Sequence, residues 1–471
     1  MVSFVRLLCS FIALAVLSEI VVGQSVDESE EMSFFDIDDS SDNDNFFDID
    51  VDQEDEPEEK YNYSVTGSVK QDFTYGIASP SESFARNKNG MEKINSELFL
   101  QIQGRPSNSS KIKVSGFVDY DWGSWLNDAY ALGGSDTNFE LKDLFLDLTS
   151  DKGLWIRLGN QIVARGELES VKITDIVNPI DISAPGQVEF KDIRVQVPAM
   201  FVSVPLGNAI AEVILTNEAG ADKLGTPDPG SAFDYSILND QMFASLPDGT
   251  SVQIEEREAN KTWEAIGRVN YKLNGGDISF TAGEVNWNQN SVQAVAESEP
   301  VFMQYGFDRV KVFGLSGNVV RGNYLFRYEA ALNDGRRFQN VNPLTGWSKH
   351  REIVSGIGLE YSGWNDTVLS FEINNSNIVD YSRDLLPDEN EAGFVVQARW
   401  SGLNDLLSIY GAFNQLSGDN STISTLFAQY ELTDDVKLDA RIIIYDASSI
   451  SDLLYTFRDQ DVVKGSIKYS F

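Results

Sequence analysis

The chain has 471 residues, is 11% aromatic, contains 36 glycines and carries a formal net charge of −37. That charge excludes nucleic acid as a partner, because phosphates would be repelled. A single histidine (His350) and a single cysteine (Cys9) leave too few ligands for an imidazole or thiolate metal centre and remove the usual general bases, so no enzyme, cofactor or metal is expected.

Arg6 precedes an apolar stretch, residues 7–17, and small side chains at Val21 and Gly23 mark a cleavage site before Gln24. Residues 1–23 are therefore predicted to be a secretory signal, too short to span a membrane as a helix. Residues 24–60 hold seventeen acidic residues and one lysine, and are expected to be a disordered periplasmic segment. Within it the phrase Phe-Phe-Asp-Ile-Asp occurs twice. The aromatic pairs Phe34–Phe35 and Phe46–Phe47 suit a motif that folds onto a basic, apolar periplasmic partner; entry of the segment into the lumen against its arginines and a solvated spacer with a chance repeat are the alternatives.

From residue 61 to 471 the dominant pattern is period-two alternation. Val463, Gly465, Ile467, Tyr469 and Phe471 oppose Lys464, Ser466, Lys468 and Ser470; Val436, Leu438, Ala440, Ile442 and Ile444 oppose Lys437, Asp439 and Arg441. A strand with one apolar and one charged face needs two solvents, lipid outside and a polar lumen inside. Strands of about ten to twelve residues, enough to cross a bilayer when tilted, are predicted to start near Tyr61, Lys93, Lys111, Phe139, Gly153 and Arg194. Others follow near Asn208, Thr262, Asp277, Arg309, Asn323 and Arg351, and the last near Asn365, Glu391, Asn404, Ser421, Asp435 and Asp461. Short turns such as Asn274-Gly275-Gly276 alternate with long connections at 77–92, 123–138, 166–193, 218–261, 288–304, 334–350, 375–390 and 446–460. This two-sided asymmetry predicts an all-β fold: a transmembrane antiparallel up-and-down β-barrel of about eighteen strands, with sixteen as the nearest rival, in contact with outer-membrane lipid. The terminal Phe471 resembles the C-terminal aromatic read by the outer-membrane insertion machinery.

The connection 166–193 carries Glu167, Glu169, Asp175, Asp181, Glu189 and Asp192, with residues 170–176 able to form a short helix before the Asn178-Pro179 turn. It is expected either to fold into the lumen as a charged constriction or to be an ordinary surface loop. The phrases Leu158-Gly159-Asn160-Gln161, Gly166-Glu167, Val177-Asn178-Pro179-Ile180-Asp181 and Pro198-Ala199-Met200 resemble those of a family of proteobacterial outer-membrane barrels. These show a Gly-x-Gln strand, a Gly-Glu pair, an Asn-Pro-x-Asp turn and a later Pro-Ala. Their genes often neighbour RND-type exporters, so the resemblance implies transport or export of lipid-like molecules. Where that family has an aromatic before Gly-Glu, this chain has Arg165.

Candidate lumen residues are Gln161, Arg157, Arg165, Arg194, Arg268, Arg327, Arg399 and Arg441. They are interleaved with Asp143, Asp147, Glu264, Glu329 and Asp439. Opposed charges across a pore orient dipolar solutes; paired with each other, the same charges brace the wall. His350 falls in an expected outer loop, apart from any serine nucleophile motif, which argues against a barrel hydrolase. The expectation is a porin-like outer-membrane channel, or the barrel of an export system, constricted by loop 166–193. The alternative is a closed barrel that docks a periplasmic partner through its acidic segment.

Overall fold

Alternating β-branched, aromatic and charged residues are satisfied by strands whose two faces meet different surroundings. In the computed structural model the described residues are 62–77, 90–122, 137–187, 193–217, 220–223, 252–256, 262–296 and 298–471 apart from 299, 419, 450, 451, 453, 456 and 459. The expected signal and acidic segment, with Phe34, Phe35, Phe46 and Phe47, lie outside them.

The wall begins with β1 (Asn62–Gly76), β2 (Gly90–Ser107), β3 (Ser110–Asp121), β4 (Thr137–Thr149) and β5 (Trp155–Gln161). It continues through β6 (Val197–Leu206), β7 (Ala209–Thr216), β8 (Val252–Glu256), β9 (Glu264–Leu273) and β10 (Gly276–Ala296). Next come β11 (Val301–Arg321), β12 (Tyr324–Gln339), β13 (Trp347–Trp364), β14 (Thr367–Val379) and β15 (Asn390–Gly402). The last are β16 (Leu407–Gln415), β17 (Thr422–Thr433), β18 (Val436–Asp446) and β19 (Val462–Ser470). Successive strands pair antiparallel, except that β7 pairs with β9 while β8 adds in parallel to β11. β19 returns to β1, from Ser68↔Ser470 to Gly76↔Val462. Setting β8 aside from the nineteen strands leaves a closed wall of eighteen with no free edge at the seam.

Each predicted strand corresponds to one wall strand. The lengths were less legible: β10 and β11 run for 21 residues and β5 for seven. Two expected connections are corrected. Residues 288–304 and 334–350 are mostly paired, as the β10–β11 hairpin reaches Ala296↔Phe302 and the β12–β13 hairpin reaches Gln339↔Trp347. Beyond the bilayer both faces meet water, so the apolar alternation fades while the backbone ladder continues.

The outward faces are apolar, with Phe280, Phe313, Phe326, Ile357, Val396 and Leu426 all exposed. Aromatic rings gather toward the short-turn end, which faces the periplasm in barrels of this kind. There Tyr361 packs against Tyr324 at 4.9 Å and Trp364 at 5.5 Å, and Tyr469 stacks on Phe471 at 6.2 Å. Phe471 exchanges backbone hydrogen bonds with Gly67, so the last residue closes the wall.

The inward faces differ from the expected polar lumen along seven of the eighteen wall strands. From β5 to β12 they carry Trp155, Phe201, Ile214, Ile266, Val285, Val310, Val312 and Ala331, which form one buried cluster with Val163, Leu168, Ile173, Ile176 and Val177 of the β5–β6 connection. These strands carry apolar side chains on both faces, with inward charges such as Glu212, Arg268 and Glu329 set among them, because one face meets lipid and the other a segment of the chain itself.

Candidate functional site

The β5–β6 connection, residues 162–196, is the inserted element, and the described part of it is fastened at both ends and in the middle. At its foot, Gly159 holds φ +134, and a Cβ there would stand 2.1 Å from the Leu144 carbonyl oxygen, so only glycine lets β4 approach so closely. Gln161 donates from Nε2 to the Ala199 carbonyl at 2.8 Å, pinning β5 to β6. Asn178 is fully buried. Its Oδ1 accepts from the Val163 N–H at 2.7 Å and its Nδ2 donates to the carbonyls of Val195 (2.8 Å) and Gln161 (3.1 Å), clamping the outgoing and returning arms. The Gly-x-Gln and Asn-Pro phrases therefore build the foot of the segment. Gly159→Ala is expected to destabilise the barrel by about 1–3 kcal/mol, seen as a lower temperature for the electrophoretic shift from folded to unfolded barrel.

In the middle, two wall carboxylates replace the partners that a helix would have supplied. Glu329 (β12) accepts from the backbone N–H groups of Glu167, Leu168 (2.7 Å) and Thr174 (3.0 Å) and from the Thr174 hydroxyl (3.0 Å). Glu372 (β14) accepts from the N–H groups of Glu169 (3.0 Å) and Ser170 (2.9 Å) and from the Ser170 hydroxyl. The short helix expected over 170–176 is absent, because these amides turn toward the wall rather than toward one another. Inward glycines make room. A Cβ on Gly356 would lie 2.5 Å from Leu168 Cδ1, and one on Gly314 2.8 Å from Thr174 Cγ2. At the tip, Pro185 accepts from the Tyr445 hydroxyl, Gln187 accepts from Arg441 Nη1 at 3.2 Å, and Gly186 lies against Ile423 and Ile443. The segment thus reaches from β5 to β12–β14 and on to β17–β18, across the lumen.

Most of the candidate charges hold this segment or brace the wall. Arg327 pairs with Glu169 (2.7 Å) and Glu360 (3.1 Å), and Arg399 reaches the other Glu169 oxygen (3.3 Å). Glu167 accepts from Asn318 (3.1 Å) and faces Arg268 (3.7 Å). Glu212 joins Arg165 (3.0 Å) to Arg268 (3.3 Å), and Asp175 pairs with Arg194 (2.7 Å). Asp181 caps Ser183 through its N–H (3.0 Å) and hydroxyl (2.6 Å). Within the segment, burial raises the Glu167 carboxyl and lowers the Lys172 ammonium from their usual ranges.

The other candidates lie apart. Asp147 grips Arg157 with two bonds of 2.8 and 3.0 Å beneath the Phe145 ring, and Glu264 is buried on Asn286 (2.9 Å). Asp143 meets Ser115 (2.8 Å) and Asp439 meets Gln429 and Ser466 (2.9 Å each). Sequence reasoning missed Glu372 and Glu212, and marked Asn178 as a turn and motif residue without its clamping role. The discoverable sign was the inward pair Gly356 and Gly358 alternating with outward Ile357 and Leu359, since small residues inside a barrel mark a surface on which something packs.

A closed lipid-facing wall with an inward-folded connection defines a porin-like outer-membrane barrel. The chain belongs to the protein family of unknown function DUF1302, whose model matches residues 44–471. No curated protein matches the chain in sequence. In fold it is similar to Acinetobacter baumannii OccAB3 (TM-score 0.51, 10% identity, covering 87% of this chain and 99% of that one). It is also similar to OccAB2 of the same organism (TM-score 0.50, 9% identity, 87% and 98% covered).

Proposed function

We propose that the protein is an outer-membrane channel for small polar solutes, whose passage runs along one side of a lumen divided by residues 162–187. The observation that carries this reading is the anchoring of the segment on Glu329 and Glu372, which fills the space inside β5–β12 and, beyond the apolar patch of Ile423, Ile443 and Tyr445 under its tip, leaves half-buried polar side chains such as Lys70, Asp72, Lys113, Arg399 and Lys464 on the inward faces of β1, β3, β15 and β19. Strand registers set Arg441, Lys464 and Lys93 in one row, Asp439, Asp72 and Asp121 in the next. Near-balanced rows orient dipolar solutes while favouring neither sign of ion. In planar bilayers the purified protein is expected to show discrete conductance steps with a cation-to-anion permeability ratio within about threefold of unity. Absence of steps both from the intact protein and from a variant trimmed within 166–187 would sink the proposal.

Cooperation with an RND-type exporter of lipid-like molecules extends this proposal and rests on the motif resemblance. It predicts recovery of such an exporter with the solubilised barrel, and recovery of the barrel without one argues against it.

A further inference from the structure

The wall is not uniformly laced. The β11–β12 ladder runs from Arg321↔Tyr324 to Lys311↔Asp334 and stops there. Above that point β11 follows β10 to Phe302, with register shifts at Asn286/Asn290 and Val292/Ala294, and β12 follows β13 to Gln339. The parting begins at Gly335, in a left-handed conformation (φ +105) at a register shift between Asp334 and Arg336. A Cβ at Gly335 would stand 2.9 Å from the Arg309 carbonyl oxygen. Part of the freed β11 edge, Val301–Tyr305, is covered by β8. Among the described residues no strand is paired with that edge over 306–310.

Side chains span this gap: Arg336 reaches Gln289 (3.4 Å), Arg337 reaches Gln293, and Asp308 is the most deeply buried of the groups between them. Asp308 is 1% exposed and lies in the unlaced stretch. It accepts from the Arg337 N–H (2.9 Å) and the Arg337 guanidinium on the β12 side, and from Ser291 (2.8 Å) and Gln293 (3.2 Å) on β10. If the register of Lys311↔Asp334 continued, Asp308 would face Arg337. Beside them Arg336 lies 4.9 Å from the ring centres of both Trp287 of β10 and Phe338, and pairs with Glu352. Outer closure between two hairpins thus depends on side chains where backbone hydrogen bonds would otherwise hold it.

The height of the parting is also defined. Below it the outward residues are Phe313, Leu315 and Phe326; at its apex Lys311 and Asp334 are both exposed, outside the apolar belt. We propose that the β11–β12 parting is a hinged side portal, latched by Asp308 and Arg337, through which amphipathic molecules pass between the outer headgroup layer and the outer mouth of the lumen, above the cluster that fills the space inside β5–β12. This rests on the channel reading above, and deepens it by naming a second route and its solute class. Opening moves the β10–β11 hairpin away from β12–β13 about Gly335 and breaks no wall ladder.

The test uses full-length protein carrying Asp308→Cys and Arg337→Cys; the one native cysteine, Cys9, lies in the predicted signal. Proteoliposomes are loaded with a sugar and, separately, with a short-chain fluorescent fatty acid. Oxidation of the cysteine pair is expected to slow release of the fatty acid about tenfold, by removing the open state from the ensemble, while sugar release stays within about twofold and reductant restores both. Equal slowing of both probes, or of neither, overturns the portal. A second measurement does not depend on conduction. Spin labels at Gln304 and Lys349 are expected to show an added longer-distance population in Asp308→Asn that the disulfide abolishes. Identical distance distributions in the folded variant and parent overturn the hinge. Failure of the channel reading instead appears as no sugar release from any variant.

Discussion

Replacing Glu329 and Glu372 together by alanine is expected to raise single-channel conductance at least about twofold while the barrel still folds. These two wall carboxylates receive seven hydrogen bonds from the segment, five of them from backbone amides. A buried amide left without a partner costs about 1–3 kcal/mol, so several at once exceed what the apolar contacts of Leu168 and Ile173 return. The segment then leaves the wall and its amides find water in the widened lumen. Each single substitution should give a smaller rise and noisier open states, because the other carboxylate still holds one turn. Unchanged conductance in the double variant, with folding verified by heat-modifiable electrophoresis, would show that residues 166–177 do not limit the passage.

The largest loss of stability is expected from Arg327→Ala. Arg327 bridges Glu169 of the segment to Glu360 of the wall and lies 3.9 Å from Glu372, so its removal leaves carboxylates uncompensated in a buried site. Breaking one side of such a network costs about 3–5 kcal/mol, measurable as a shift in the urea midpoint of barrel unfolding. Arg327→Lys should recover less than half, since an ammonium cannot fork to two acids. Adding Glu169→Gln to Arg327→Ala should recover part of the loss by removing one stranded charge. A midpoint that moves by less than about 1 kcal/mol in Arg327→Ala would mean that water, rather than the guanidinium, satisfies these acids.

The strands were readable because lipid leaves the exterior no alternative: an apolar side chain at every second position is the local signature of a wall with two solvents. Short turns such as Asn274-Gly275-Gly276 carry their conformation in their own residues, with Gly275 at φ +83. Glu329 was legible as an inward charge but not as an anchor, since its partners lie about 160 residues away in sequence. Glu372 was invisible for the same reason. The apolar inward residues of β6 and β7, Phe201 and Ile214, broke the expected alternation and could have been read as evidence of an internal packing partner.

Loop 166–193 marks the division between what sequence and tertiary structure decide. By itself the sequence determined the barrel, a count of about eighteen strands with sixteen as the rival, their order and the dense charge of this connection, because each depends on local periodicity or local turn chemistry. Whether the connection lies outside or inside was decided only by tertiary structure. The choice depends on wall carboxylates, inward glycines and an apolar inner face contributed by strands far along the chain. Only the closed barrel brings these to one height, where they offer the amides of a single segment enough partners to hold it away from water.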